Sequence, residues 1–332
     1  MANRFRVVGT LAKRLEELGI PPAAVLRRAG LPAGLFEQNK ILVTTEEYFS
    51  FYAAIAAVSG DPAIGLKLGS EERVERYSPT AIAALYSRTF RDALERAARY
   101  KRLTRPEDIR IAERGDECAV EFVWLLAERP EPPTLTDACF AWILTIGRRG
   151  TGRSVHPLRV ELKRPEAYRR LFEDHFGCPL KFGMGRNQLV FHSQEMAAPF
   201  LTHNPELLEM VAPQLEAELS EQVANRPLKE QVKGTLKKLL AGQRPRLEDV
   251  AGELRVSART LQRRLTAERL TFQSLVEEAR REMAQHYLLQ SALELNETAY
   301  LLGYEDPNSF FRAFHQWEGT TPGEWRSAHS AA

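Results

Sequence analysis

Arginine is the chemically most capable side chain that this sequence concentrates in one place. Guanidinium groups pair with phosphate oxygens and with the edges of guanine bases, so an arginine-rich segment predicts a nucleic-acid contact. Between positions 255 and 269 the only carboxylate is Glu268. The alternative is that some of these arginines cover apolar surface or pair with Glu248 and Asp249, and for Arg264 both interpretations stay open. The arginines of the segment are Arg255, Arg259, Arg263, Arg264 and Arg269.

Two short helices that cross at a tight turn are predicted to position these arginines. Ala251 is small enough for a close helix approach, Val256 fills the turn, and the Ser257 hydroxyl can cap the second helix. The second helix then exposes one outward face. That face carries Ala258, Arg259, Gln262 and Arg263.

A similar pattern recurs further along the chain, so we place helix-turn-helix units at about 247–268 and 296–317. In the second unit Ala299 takes the place of Ala251, Gly303 makes the turn, and Asp306 caps a helix that begins at Pro307. A helix over about 271–290 joins the units and is about 30 Å long. That length is close to the ~34 Å of one DNA turn, so the two second helices could enter successive major grooves.

At this point the sequence resembles the AraC/XylS family of bacterial transcription regulators over roughly residues 230–327. The motifs are S-x-R-x-L-x-R-x-L from Ser257, G-Y-x-D-x-x-x-F-x-R-x-F from Gly303, and T-P-G-E-W-R from Thr321. The resemblance implies that the protein binds double-stranded promoter DNA and interacts with RNA polymerase. One departure is Arg255, where the family usually has glycine; a left-handed residue there costs about 1 kcal/mol. By position, the implied DNA-contacting residues are Arg259, Gln262 and Arg263, then Asn308, Ser309 and Arg312.

The first two thirds of the chain predict an α+β domain, with helices first and a small antiparallel sheet after them. We expect helices over 4–18, 22–29 and 45–58, two more around Thr89, a hairpin of 109–113 with 117–126, and a helix over 135–148. Further strands are expected at 158–163, 179–182 and 188–192, with a short helix that begins at Pro165. An apolar stripe from Leu208 to Val223 either packs on its own domain or forms a dimer interface. Asn225-Arg226-Pro227 ends this helix, which predicts a boundary between an N-terminal domain at 1–226 and an all-α DNA-binding domain at 227–332.

This first part resembles the AraC-type regulators whose N-terminal effector domain begins with helices and lacks a cupin barrel. The motifs are L-x-x-x-G-I-P-P from Leu15, A-G-L-P from Ala29 and G-D-P-A-I-G-L-K-L-G from Gly60. The resemblance implies a sensor of amino-acid derivatives, amines or similar metabolites. Aromatic residues of the region are either core or the wall of such a site, and Arg148 or Arg149 either pairs with an effector carboxylate or faces solvent. The candidate effector-binding residues are Tyr86, Phe122, Trp124, Phe140 and Trp142.

Several other classes of protein find little support. The 46 Lys and Arg against 44 Asp and Glu give a net charge of +2, which by itself indicates no partner. The three cysteines and seven histidines lack the spacing of a disulfide framework or metal site, and no phosphate loop or nucleophile turn appears. The most apolar run, Phe49 to Val58, is too short to cross a membrane. We therefore expect a cytoplasmic, homodimeric, effector-controlled regulator that is not an enzyme and has no metal or cofactor. The alternative is a constitutive regulator whose N-terminal domain only dimerises.

Overall fold

The computed structural model describes residues 4–7, 9–38, 40–71, 73–224, 227–240, 245–290 and 293–330. The chain divides into two compact units, Met1–Leu219 and Ser220–Ala332. Two residues of the predicted boundary, 225 and 226, lie outside the described ranges. None of the helices within these ranges has the length and apolarity that a membrane crossing requires.

The N-terminal unit begins with a two-stranded antiparallel ribbon, so the helix predicted from residue 4 was wrong over its first turn. Phe5 and Val8 fit a helical spacing, but residues 4–7 pair in register with residues 41–44, and this distant partner decides the local conformation. Thr44 caps the third helix in a reciprocal capping box with Glu47, and Thr89 caps the sixth. The elements are β1 (Arg4–Val7), α1 (Thr10–Glu17), α2 (Pro22–Arg28), β2 (Ile41–Thr44), α3 (Thr45–Ser59), α4 (Ile64–Gly69), α5 (Pro79–Leu85) and α6 (Phe90–Lys101).

A five-stranded mixed sheet follows, with strand order β3 (Glu107–Arg114), β4 (Glu117–Trp124), β7 (Gln188–His192), β5 (Arg159–Leu162) and β6 (Leu180–Phe182). The predicted hairpin is confirmed as β3 paired with β4. The prediction of a purely antiparallel sheet was wrong for one pair, because β5 and β6 run parallel. Helix α8 provides the crossover that a parallel pair needs, and it starts at Arg169, so Pro165 lies before it. The elements are β3 (Glu107–Arg114), β4 (Glu117–Trp124), α7 (Pro133–Thr151), β5 (Arg159–Leu162), α8 (Arg169–Phe176), β6 (Leu180–Phe182), β7 (Gln188–His192), α9 (Ser193–Met196) and α10 (Pro205–Ala224).

Helix α7 lies at the centre of the N-terminal core and is buried along most of its length. Helix α4 approaches it closely because Gly65 and Gly69 carry no side chain. A Cβ on Gly69 would lie 2.2 Å from the carbonyl oxygen of Ala138, and one on Gly65 would lie 2.6 Å from that of Thr134. The glycines of the G-D-P-A-I-G-L-K-L-G motif therefore set this helix contact.

The C-terminal unit is all helical, as predicted, and has two small hydrophobic cores. The long helix α14 (Phe272–Gln290) contributes to both: Leu275, Val276 and Ala279 pack in the first core, and Ala284 and Leu288 pack in the second. Each core holds one helix-turn-helix unit. The elements are α11 (Leu228–Leu239), α12 (Leu247–Glu253), α13 (Ala258–Ala267), α14 (Phe272–Gln290), α15 (Leu295–Leu301), α16 (Pro307–Glu318) and α17 (Pro322–Ser330).

Candidate functional site

The first helix-turn-helix unit consists of α12, the turn and α13. The Val256 amide donates to the Ala251 carbonyl at 2.9 Å, which closes the turn, and the Ser257 hydroxyl accepts from the Thr260 amide at 3.1 Å. Arg255 has a φ of 54°, the left-handed backbone that its position predicted. The motif therefore forms without the glycine that usually occupies this turn.

The second unit repeats this construction in α15 and α16. The Tyr304 amide donates to the Ala299 carbonyl at 3.1 Å, and Gly303 has a φ of 72°. The Asp306 carboxylate accepts from the amides of Asn308 and Ser309 at 3.2 and 3.0 Å. Both units thus use the same turn closure and the same kind of cap, which agrees with the predicted duplication.

The outward face of α13 carries the three residues expected to contact bases. Arg259, Gln262 and Arg263 are exposed, whereas Leu261 and Leu265 on the opposite face are fully buried. Three or four residues separate members of one helix face, so these side chains project together.

The corresponding face of α16 is less basic. Asn308 and Arg312 are exposed, with His315 further along the same face. Ser309 is half-buried, and its hydroxyl donates to the Asp306 carboxylate at 3.0 Å and accepts from Arg312 at 3.2 Å. Part of its hydrogen-bonding capacity therefore serves the helix cap.

The arginines around α13 are free of carboxylate partners in the described part of the chain. The side chains of all five form no hydrogen bond or ion pair there, and all five are exposed. The alternative pairing with Asp249 is not seen; that carboxylate accepts from the Arg246 amide at 2.8 Å. The guanidinium groups are thus available to an external anion. The set is Arg255, Arg259, Arg263, Arg264 and Arg269.

One buried arginine, missed by the sequence reasoning, fixes the second unit to α14. Arg280 is 5% exposed and donates to the carbonyls of Leu302 and Gly303, each at 3.0 Å. Its guanidinium also lies 4.3 Å from the centre of the Tyr304 ring. The carbonyls at the end of α15 have no hydrogen-bond donor within the helix, and the Arg280 guanidinium donates to them instead. The available signal was an arginine in line with the apolar positions of α14.

Three of the five candidate effector residues line one cavity in the N-terminal unit. Phe122, Trp124 and Phe140 form its walls, and its free volume is about 10 Å³, room for one water molecule. Tyr86 and Trp142 do not line this cavity. Further lining residues are Glu131, Leu135, Thr136, Cys139 and Asn187.

Two other features have structural partners. The Arg148 guanidinium donates to the carbonyls of Val155 and His175 at 3.2 and 3.0 Å, so its partners are backbone groups of the same unit.

In α10, Leu208, Val211 and Leu215 pack in a small apolar cluster within the same unit. This contact favours intradomain packing over a dimer interface for that part of the stripe.

In the described ranges, no group of three or more His, Cys, Asp or Glu residues is placed to hold a metal ion.

Comparison with known proteins matches both parts of the chain. Residues 19–200 match the arabinose-binding domain of AraC transcription regulator, N-terminal, and residues 250–328 match a helix-turn-helix domain. An ornithine utilization regulator of Pseudomonas aeruginosa is 30% identical over 82% of this chain and 80% of that protein. The transcriptional regulator VirS of Mycobacterium tuberculosis is 28% identical over 94% of this chain and 93% of that protein. The crystal structure of the regulator CdpR from Pseudomonas aeruginosa aligns over 97% of this chain and 99% of that one, at 19% identity and a TM-score of 0.47.

Proposed function

Because the chain belongs to the AraC-type transcription regulators, with an N-terminal ligand-binding domain and a helix-turn-helix DNA-binding domain, we propose that a small molecule controls its binding to a specific promoter sequence. Two recognition helices, α13 and α16, enter successive major grooves on one side of the duplex. The functional domains we propose are residues 1–226 for ligand binding and dimerisation and 227–332 for DNA binding.

The observation that carries the DNA-binding mode is the unpaired arginine face of α13. Exposed charges without partners are costly to crowd together, and a polyanion relieves that repulsion. Helix α14 has 19 residues, so it is about 28 Å long and can hold the two units near the ~34 Å repeat of DNA.

We assign direct base contacts to the outward faces of both recognition helices. Arg263 and Arg259 can each pair with the two acceptors of guanine, and Gln262 can pair with adenine. In the second unit we assign Asn308 and Arg312, with a lesser share for Ser309 because its hydroxyl also serves the cap. Arg255, Arg264 and Arg269 would contact phosphates.

Ligand control would operate through the N-terminal unit. The match of residues 19–200 to the arabinose-binding domain of AraC regulators supports an effector site there, and one relative is named for ornithine utilization. A ligand shifts DNA binding only if it has different affinities for two arrangements of the protein. We also propose that the protein acts as a homodimer and contacts RNA polymerase.

The test is DNA binding by the full chain, measured by fluorescence anisotropy, with and without compounds that raise its melting temperature. Ligand control predicts at least a fivefold change in affinity for a specific site, the low end of typical coupling between sites. Stabilising compounds that leave DNA affinity unchanged would favour the constitutive regulator whose N-terminal domain only dimerises.

A further inference from the structure

A groove with three arginines in its lining lies at the end of α7, on the surface of the N-terminal unit. The free volume of this basic groove is about 490 Å³, and the groove is open to solvent. The aromatic cavity, by contrast, has room for one water molecule. Pockets for small molecules measure roughly 300–1,000 Å³, so the basic groove has the size of a metabolite site. Its lining consists of Arg148, Arg149, Gly152, Arg153, Ser154 and Thr202.

The backbone at the end of α7 makes this position less hostile to an anion than most helix C-termini. Gly152 caps the helix in a left-handed conformation with a φ of 66°. Carbonyls without partners at a helix C-terminus carry partial negative charge that disfavours an anion. Here the Gly150 carbonyl accepts from the amides of Leu201 and Thr202 at 2.6 and 3.4 Å. One of the terminal carbonyls is therefore already occupied by protein donors.

The three arginines of the basic groove differ in their partners. Arg148 is partly buried, and its two backbone carbonyls fix the guanidinium while several of its N–H groups stay free. Arg149 is exposed and forms no hydrogen bond or ion pair with the described residues. Arg153 is exposed, and its guanidinium lies 3.1 Å from the Glu195 carboxylate. Two of the three cations thus lack an anionic partner.

This arrangement leaves an excess of two positive charges in the basic groove. Among the described residues, Glu195 is the only carboxylate within ion-pair distance of the three guanidinium groups. Burial lowers the pKa of Arg148, but a guanidinium stays charged near neutral pH. Arg148 and Arg149 are neighbours in sequence, so their charges repel each other, and a bound dianion would remove that repulsion.

The other polar groups of the lining favour an oxygen anion over a cation. The Ser154 hydroxyl is exposed and has no hydrogen-bond partner in the described part of the chain, so it can donate. The Thr202 hydroxyl already donates to the Leu85 carbonyl at 2.5 Å. Guanidinium groups bind phosphate and carboxylate oxygens through paired N–H groups. An amine would find no free carboxylate there, because Glu195 pairs with Arg153.

We infer that the basic groove binds a small organic dianion, a phosphate monoester or a dicarboxylate, and that this molecule is the effector. The inference rests on the proposed ligand control and narrows it, because simple amines and neutral metabolites are not ligands of this site. Arg148, Arg149 and Ser154 bind the anionic oxygens, and Arg153 stays paired with Glu195. Since the groove is open to solvent, added salt weakens the binding.

The experiment uses the full chain at constant ionic strength and three matched pairs of probes. Glucose 6-phosphate, glycerol 3-phosphate and glutarate are compared with glucose, glycerol and glutaramide, which have similar bodies without the charges. Melting temperature is measured first, and fluorescence anisotropy with specific DNA second. We expect at least one dianion to raise the melting temperature by about 3–5 °C at ten times its dissociation constant, with no shift from its neutral counterpart.

Two variants of one residue test the assignment, because the arginines of α13 also attract anions. Arg149→Gln should weaken binding of the dianion about fivefold to tenfold, and Arg149→Lys should retain part of the affinity. The matched control is Arg27→Gln, since Arg27 on α2 is exposed, has no described partner and lies outside the groove lining; it should respond as the parent protein does. Unliganded Arg149→Gln should bind specific DNA within about twofold of the parent, which shows that it is folded.

The outcomes separate this inference from the proposed function. Equal stabilisation by the neutral counterparts, an absence of stabilisation by all three dianions, or a full response of Arg149→Gln would overturn the dianion site. If a compound of another class changes the DNA affinity of the parent and of Arg149→Gln alike, ligand control stands and this inference fails. If a dianion binds through Arg149 without changing DNA affinity, the anion site stands and ligand control through it fails.

Discussion

Replacing Arg255 by glycine is expected to stabilise the protein and weaken its binding to DNA at the same time. Arg255 has a φ of 54°, and its exposed side chain has no partner among the described residues. A left-handed conformation costs a non-glycine residue about 1–2 kcal/mol, and glycine loses about 0.4–1 kcal/mol more entropy on folding. The net gain is about 0.5–1 kcal/mol, or a rise of about 2–6 °C in melting temperature.

The loss of DNA binding follows from one missing phosphate contact. Each such contact contributes about 0.9 to the slope of log affinity against log salt. At 0.15 M salt this corresponds to about fivefold weaker binding, on specific and non-specific DNA alike. Fluorescence anisotropy on a 30-base-pair duplex between about 0.05 and 0.3 M salt measures both the affinity and the slope.

The control is Arg255→Lys, which keeps the charge and the strained backbone and should change neither stability nor salt slope by much. Two results would refute the reasoning. An unchanged affinity and slope for Arg255→Gly would mean that Arg255 contacts no phosphate. A lower melting temperature would mean that its side chain stabilises the fold, contrary to its lack of partners.

Three further predictions concern the fold, and urea denaturation checks each of them. Gly69→Ala should destabilise by about 3 kcal/mol because its Cβ would meet a carbonyl oxygen of α7 at 2.2 Å, whereas Gly234→Ala, with open space on α11, should stabilise by about 0.5–1 kcal/mol. Arg280→Met should lower the free energy of unfolding by about 2–4 kcal/mol because it leaves the carbonyls at the end of α15 without a hydrogen-bond donor. Arg281→Met, at the exposed neighbouring position, should lower it by under about 1 kcal/mol. Burial, with a neighbouring guanidinium, lowers the pKa of His175 from 6.5 to about 4, so the unfolded chain takes up a proton first as the pH falls. Stability should drop by about 1–2 kcal/mol between pH 6.5 and pH 4, with partial exposure allowed for, and His175→Gln should remove that drop. Equal changes in stability for Gly69→Ala and Gly234→Ala would contradict the close contact of α4 with α7, and equal changes for Arg280→Met and Arg281→Met would contradict the role of Arg280. An unchanged dependence of stability on pH in His175→Gln would contradict the lowered pKa of His175.

Local rules predicted the parts of the fold that local residues determine. The caps at Ser257 and Asp306 were readable because a hydroxyl or carboxylate before a helical pattern satisfies free amides close by in sequence. Both turns of the C-terminal unit were readable for the same reason, including the left-handed backbone at Arg255.

Features that depend on distant partners were not predictable. The first strand pairs with residues 34 to 40 positions away in numbering, from Val7 with Ile41 to Arg4 with Thr44, and its own periodicity fits a helix equally well. The parallel pairing of β5 with β6 depends on the path of the intervening helix.

For the candidate sites the limit was similar. The exposed face of α13 follows from its own periodicity, whereas the contact of Arg280 with the end of α15 joins separate elements. Aromatic composition alone named five candidates, of which the structure brings Phe122, Trp124 and Phe140 to one small cavity and places Tyr86 and Trp142 outside its lining.

The most direct test of the central claim, that α13 reads base pairs, is selection of bound duplexes from a random pool with the parent protein and with Arg263→Ala. The parent should enrich two elements whose centres lie about 10–11 base pairs apart, one for each recognition helix. Arg263→Ala should lose its preference at one base position and bind the parent site about 1–3 kcal/mol more weakly. Failure of the parent to enrich any motif, or an equal loss by the variant on every sequence, would contradict base reading by this helix.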